Sequence, residues 1–69
     1  MTAADCIRNV RIEMGLSQAE FAILIKKDPT SVSMYESGKR KPGFPTIRKI
    51  VEEAKKKGIK VKYTDLHDS

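Results

Sequence analysis

The sequence predicts a compact all-α domain of four to five short helices, followed by a short C-terminal segment that is extended or forms a strand. Apolar residues recur at spacings of three and four in four separate stretches, which is the pattern of helices with one buried face. Glycines follow three of these stretches, at Gly15, Gly38 and Gly58, where helices commonly end. With 69 residues, the chain makes one small domain that buries about 60% of its unfolded surface. We expect a helical domain over residues 1–58 and a tail over residues 59–69.

The first two helices are expected over about residues 3–14 and 18–25. The apolar stripe of the first is Cys6, Ile7, Val10 and Met14, and that of the second is Phe21, Ala22 and Ile25. Ser17 is a good N-cap for the second helix. Glu20, three residues later, completes a capping box in which each residue satisfies a free backbone N–H of the other.

The third helix is expected over residues 29–37. Asp28 can cap it, and Pro29 stands at its first position, where a missing N–H costs nothing. Val32 and Tyr35 are expected to point inward.

The outward face of this third helix is free of acidic residues. It is expected to carry Pro29, Thr30, Ser31, Ser33, Met34 and Ser37. The basic run Lys39-Arg40-Lys41 follows at once. These residues alone also fit an ordinary helical hairpin with a hydroxyl-rich face.

The fourth helix is expected over about residues 46–57, with Thr46 as its cap and Phe44 filling a gap at the edge of the core. Its apolar stripe is Ile47, Ile50, Val51 and Ala54.

The tail alternates apolar and basic residues with period two, from Ile59 through Val61 to Tyr63. Such alternation is typical of a strand. The segment would then pair with the same strand of a second subunit, or it would be an extended arm that covers the core of its own chain. A single capped turn is expected over residues 64–67.

Positive charge is concentrated in the second half of the chain. The stretch 39–62 has ten basic and two acidic residues, a net charge of +8, whereas the remainder has four basic and seven acidic residues, a net charge of −3. This asymmetry indicates a polyanionic partner.

Several classes of function have no support in the sequence. No apolar run approaches the roughly 18 residues of a membrane span, and the N-terminus lacks the regions of a signal peptide. We therefore expect a protein of the bacterial or phage-infected cytoplasm, without a membrane partner. No nucleophile stands beside a base, and no metal-ligand spacing or glycine-rich phosphate loop occurs. We expect no enzyme activity, no metal, no cofactor and no small-molecule ligand.

One register of residues runs without a gap from Ile7 to Pro42. It consists of Arg8, Arg11, Gly15-Leu16-Ser17-Gln18, Glu20, Ala22, Ser33, Glu36, Gly38 and Lys39-Arg40-Lys41-Pro42. This register resembles the lambda-repressor-like helix-turn-helix domains of the Cro and phage-repressor type, the XRE family, and a looser match continues to about Val61. Two positions depart from the family pattern. Lys26 stands where the turn usually has Gly, so a left-handed backbone or a distorted turn is expected there. Lys27 stands where a small apolar residue usually follows.

The resemblance implies a role for individual residues. The third helix would enter the major groove of double-stranded DNA. Expected base contacts are Lys27, Pro29, Thr30, Ser31, Ser33 and Met34. Expected phosphate contacts are Ser17, Gln18, Lys39, Arg40 and Lys41. Arg11 and Glu36 would form an ion pair that ties the first helix to the end of the third.

The implied function is that of a transcriptional regulator, and the short chain favours a Cro-like repressor. It would bind a palindromic operator as a homodimer, with dimer contacts at Ile59, Val61 and Tyr63. Two alternatives stay open: an antitoxin whose DNA-binding domain also covers a toxin, and a protein-interaction module that has lost DNA binding.

Overall fold

The computed structural model describes residues 2–67 and is all-α, with no strand among those residues. The helices are α1 (Ala3–Glu13), α2 (Gln18–Leu24), α3 (Pro29–Ser37) and α4 (Phe44–Lys56), followed by a 3-10 turn at Tyr63–Asp65. The Cα atoms have a radius of gyration of 10.4 Å and extents of 28 × 25 × 20 Å. None of the helices described is long and apolar enough to cross a membrane.

The core lies where the apolar stripes of all four helices meet. Its buried members are Ile7, Val10, Phe21, Ala22, Ile25, Val32, Tyr35, Ile47, Ile50, Ala54 and Leu66. The stripes expected from helical spacing are thus the ones that are buried. Leu66 adds a tail residue that is almost completely buried and that the period of the sequence did not indicate.

The start of α4 corrects two expectations. The helix begins two residues earlier than expected, at Phe44, with Gly43 as its N-cap and no side-chain cap hydrogen bond. Thr46 is not the cap but is buried within the first turn, where Pro45 needs no hydrogen-bond partner. Phe44 does not fill the core either, because it is 64% exposed. It packs instead against Tyr63, with ring centroids 4.7 Å apart.

The tail turns back onto the helices at Gly58, whose φ is +75°. The N–H of Ile59 donates to the carbonyl of Ala54 at 2.9 Å, which closes the end of α4. Residues 59–62, here called the arm, have no regular secondary structure, and the half-buried Ile59, Val61 and Tyr63 pack against the core. In this chain the segment is therefore an arm that covers the core. Pairing with a second subunit stays a prediction.

The turn between α2 and α3 is regular despite its unusual residues. Lys26 has φ +60°, the left-handed backbone expected from its position. The N–H of Lys27 donates to the carbonyl of Ala22 at 2.8 Å, so the end of α2 is closed in the way that a glycine usually permits. The distorted turn that the sequence left open is absent from this part of the chain.

Lys26→Gly is expected to stabilise the fold, because a left-handed backbone costs a residue with a Cβ about 1–2 kcal/mol. The greater freedom of glycine in the unfolded chain offsets part of the gain. We expect a net rise of about 1 kcal/mol, seen as a melting temperature higher by about 4–8 °C. Lys27→Gly is the matched control and should lower the melting temperature. If the two variants shifted it in the same direction, the left-handed turn at Lys26 would be wrong.

Candidate nucleic-acid interface

Both helices of the α2–α3 pair begin at a capped residue. The Ser17 hydroxyl accepts from the N–H of Glu20 at 3.0 Å, and the Glu20 carboxylate accepts from the N–H of Ser17 at 2.8 Å. At α3 the Asp28 carboxylate accepts from the N–H of Ser31 at 2.7 Å. These bonds, chiefly those from the backbone N–H groups, lower the pKa of both carboxyl groups. The caps thus remain ionised, and the two helix starts are fixed by residues within three positions of each other.

A buried ion pair fixes α3 against α1. Glu36 is only 4% exposed. Arg11 Nε donates to its Oε2 at 2.6 Å, and the second terminal nitrogen of Arg11 donates to its Oε1 at 3.1 Å. The remaining terminal nitrogen of Arg11 donates to the carbonyl of Leu16 at 2.9 Å, which also ties down the α1–α2 turn. The expected pair is therefore present in a bidentate and shielded form.

Two more side chains share the Glu36 carboxylate. Gln18 Nε2 donates to Glu36 Oε1 at 3.2 Å, and Arg8 Nε lies 3.7 Å from the same oxygen. Gln18 was expected to contact a phosphate and to buttress the third helix, and the structure places it in the buttressing position. Arg8 had no assigned role, although it belongs to the matching register. One carboxylate thus joins α1, α2 and α3.

The face of α3 that points away from the core is neutral. Its exposed residues are Pro29, Thr30, Ser33 and Ser37, with Met34 half-buried beside them. The opposite face carries Ser31, Val32, Tyr35 and Glu36, all buried. The single carboxylate of α3 therefore points inward and is neutralised there, and the outer face presents short polar or apolar side chains.

Ser31 corrects the expected set of outward residues. It is 8% exposed, so its hydroxyl is not displayed on the outer face. The hydroxyl instead accepts from a terminal nitrogen of Arg40 at 3.3 Å. The inner face of α3 is two residues wide at each turn, and Ser31 falls on it beside Val32 because successive residues are only 100° apart.

Exposed basic residues flank this outer face in the chain. Lys26 and Lys27 precede α3, and the run Lys39–Lys41 follows it, all exposed. Gly38 has φ +79°, and the N–H of Lys39 donates to the carbonyl of Met34 at 3.0 Å, so the run starts directly at the end of the helix. A neutral ridge between positive charges is suited to a groove between phosphates.

The tail residues expected at a dimer contact are separate from this face. Ile59 and Val61 pack against the core rather than outward. Tyr63 lies between two other rings, Phe44 at 4.7 Å and His67 at 6.2 Å between ring centroids. The sequence gave no sign of this contact, because its members are about twenty residues apart.

The helix-turn-helix family HTH_3 matches residues 7–60, which is more than three quarters of the chain. No curated protein and no solved structure matches the chain at a significant level. The family match includes α2, its turn, α3, the basic run and all of α4.

Proposed function

Because the chain belongs to the XRE-type helix-turn-helix family and is thereby a DNA-binding transcription regulator, we propose that it is a Cro-like repressor that binds a palindromic operator as a homodimer. It would act in the cytoplasm of a bacterium or of a phage-infected cell. The mechanism requires no catalytic step, since occupying the operator is enough to block transcription.

The observation that carries the proposal is the outer face of α3. An exposed carboxylate there would repel the phosphates on both sides of a groove, and the only carboxylate of the helix, Glu36, is buried and paired. Hydroxyl groups of Thr30 and Ser33 can donate or accept at base edges. The thioether of Met34 is suited to contact with a thymine methyl group. The exposed lysines around the helix would hold phosphates and set its register.

Dimerisation is supported by two considerations. One reading helix contacts only a few base pairs, and a two-fold dimer doubles the site and places the two helices about 34 Å apart. The exposed ring of Phe44, packed on Tyr63, is the largest exposed aromatic surface of the described residues. We propose that this pair lies at the centre of the dimer contact, with Ile59 and Val61 holding the arm in place beneath it.

The alternative of a module that has lost DNA binding depended on a distorted turn. The turn at Lys26 is closed by regular hydrogen bonds, so nothing in the structure favours that alternative.

The test is selection of bound duplexes from a random pool. We expect a two-fold symmetric site whose half-sites are centred about 10 base pairs apart. Thr30→Ala and Met34→Ala should each change the preferred base at one or two positions of both half-sites, by about 1–3 kcal/mol per position. Thr64→Ala is the matched control, since Thr64 is exposed on the 3-10 turn. If all three variants selected the same site with equal affinity, α3 would not be the reading helix.

The basic run should supply affinity without sequence preference. Lys39→Ala and Lys41→Ala are expected to weaken binding to every duplex alike. Each lost phosphate contact should reduce the slope of log affinity against log salt by about 0.9. Lys57→Ala, an exposed lysine at the other end of α4, is the control and should leave the slope unchanged. An unchanged slope in the first two variants would remove the run from the phosphate contacts.

A further inference from the structure

A groove lies between the C-terminal half of α4 and the arm, on elements other than α2 and α3. Its apolar lining is half-buried and consists of Val51, Ile59 and Val61; its lysines are exposed and consist of Lys55, Lys60 and Lys62. The groove is thus an apolar strip with positive charge along it, and it does not include any residue expected to read DNA.

The backbone of the arm has unused hydrogen-bonding groups. Among residues 2–67, the N–H groups of Lys60 and Val61 and the carbonyls of residues 59–61 make no hydrogen bond. Burial alternates along the arm, with Ile59, Val61 and Tyr63 half-buried and the lysines exposed. Alternation with period two and free main-chain groups are the properties of a strand edge that can accept another strand.

A second copy of the arm fits this edge poorly. In an antiparallel pair, opposite residues point to the same side of the sheet. If the apolar sides match, each Lys60 faces either Lys60 or Lys62 of the other copy. Like charges directly opposite each other are destabilising, so the edge is better suited to a strand of opposite charge.

DNA is also a poor occupant. A phosphate backbone uses the lysines, but it makes no use of an apolar strip or of free N–H and C=O groups in one line. The carboxylate of Asp65 also lies at the groove, where it accepts from the N–H of Lys62 at 3.0 Å. A peptide strand uses all of these features except that carboxylate.

We propose that the arm binds an extended, acidic segment of a partner protein as an added β-strand. Carboxylates at alternate positions of that segment meet Lys55, Lys60 and Lys62, and the apolar residues between them cover Val51 and the arm. Main-chain bonds to residues 60 and 61 supply affinity, and the alternation supplies specificity. This interaction is independent of the DNA-reading face and of the proposed dimer contact.

The experiment uses the full chain and a blocked, fluorescent peptide Glu-Val-Glu-Ile-Glu-Val-Glu. Its control has the same residues in block order, Glu-Glu-Glu-Glu-Val-Ile-Val. We expect the alternating peptide to bind, measured by fluorescence anisotropy, and to slow hydrogen exchange at the amides of Lys60 and Val61. Reversing two charges, in Lys60→Glu with Lys62→Glu, should weaken binding about tenfold.

A pair of variants separates charge from strand pairing. Lys60→Gln removes only the charge, whereas Lys60→Pro also removes the N–H that the added strand needs. The proline variant should bind at least about fivefold more weakly than the glutamine variant. Hydrogen exchange in the unchanged chain gives the same information should the proline variant fail to fold.

Three results would overturn the proposal. Equal binding of the block-ordered peptide would mean charge attraction without strand pairing. Protection of the amides of Lys60 and Val61 by a random DNA duplex would make the groove a nucleic-acid contact. Protection of these amides in the free chain that rises with protein concentration would mean that a second copy occupies the arm.

Discussion

Glu36→Gln is expected to lower the free energy of unfolding by about 3–5 kcal/mol, because it leaves the shielded guanidinium of Arg11 without its counter-charge. The carboxylate side chain is 2% exposed, and that of Arg11 is 16% exposed, so water replaces little of the lost interaction. In a small domain such a loss is a large part of the total stability. Chemical denaturation followed by circular dichroism measures it.

A double-mutant cycle provides the control for this prediction. Arg11→Met alone should destabilise the fold comparably, since it leaves Glu36 buried with only Gln18 and the exposed Arg8 as partners. Combined with Glu36→Gln, it should cost clearly less than the sum of the two single changes. Additive losses, or a Glu36→Gln protein with unchanged stability, would show that the pair does not orient α3.

Phe44→Asp is expected to abolish cooperative binding to the palindromic operator. A charge at the centre of the proposed contact prevents dimerisation, and each half-site is then bound on its own. Linked binding typically exceeds single-site affinity by a factor of about 100 or more, so the apparent affinity should fall by about that factor. Gel-shift titration of full and half-sites measures the effect.

Ile12→Asp is the matched control, because Ile12 is an exposed apolar residue of α1, 58% exposed. It should leave cooperativity unchanged. Phe44→Asp should also leave binding to a single half-site nearly intact, which shows that the reading helix is undamaged. Cooperative binding by Phe44→Asp would place the dimer contact elsewhere and would leave the DNA-binding assignment untouched.

The features that sequence predicted best are those decided by neighbouring residues. The capping box of Ser17 and Glu20 joins groups three positions apart, and the same holds for Asp28 at α3. Apolar stripes follow from helical period alone. The left-handed backbone at Lys26 was predictable because the surrounding register requires that conformation whatever residue occupies it.

The wrong predictions concern residues whose environment is set by distant parts of the chain. Thr46 resembles a cap, yet Pro45 already begins the helix and Thr46 is turned into the core. Phe44 has the composition of a core residue, but its packing partner is Tyr63, from the far end of the chain. Ser31 has the character of a surface residue, but its hydroxyl accepts from Arg40. No local pattern indicates such contacts.

The shared carboxylate of Glu36 has a consequence for the energetics of association. A segment that folds on its target loses conformational entropy at the moment of binding, which reduces its affinity. Here α3 is held by Arg11 from α1 and by Gln18 from α2. The entropy of ordering α3 is therefore lost during folding of the free chain rather than on the operator. Encounter with DNA then needs only the orientation of a rigid surface and the release of counterions, so operator binding should be driven largely by solvent and ions rather than limited by the chain.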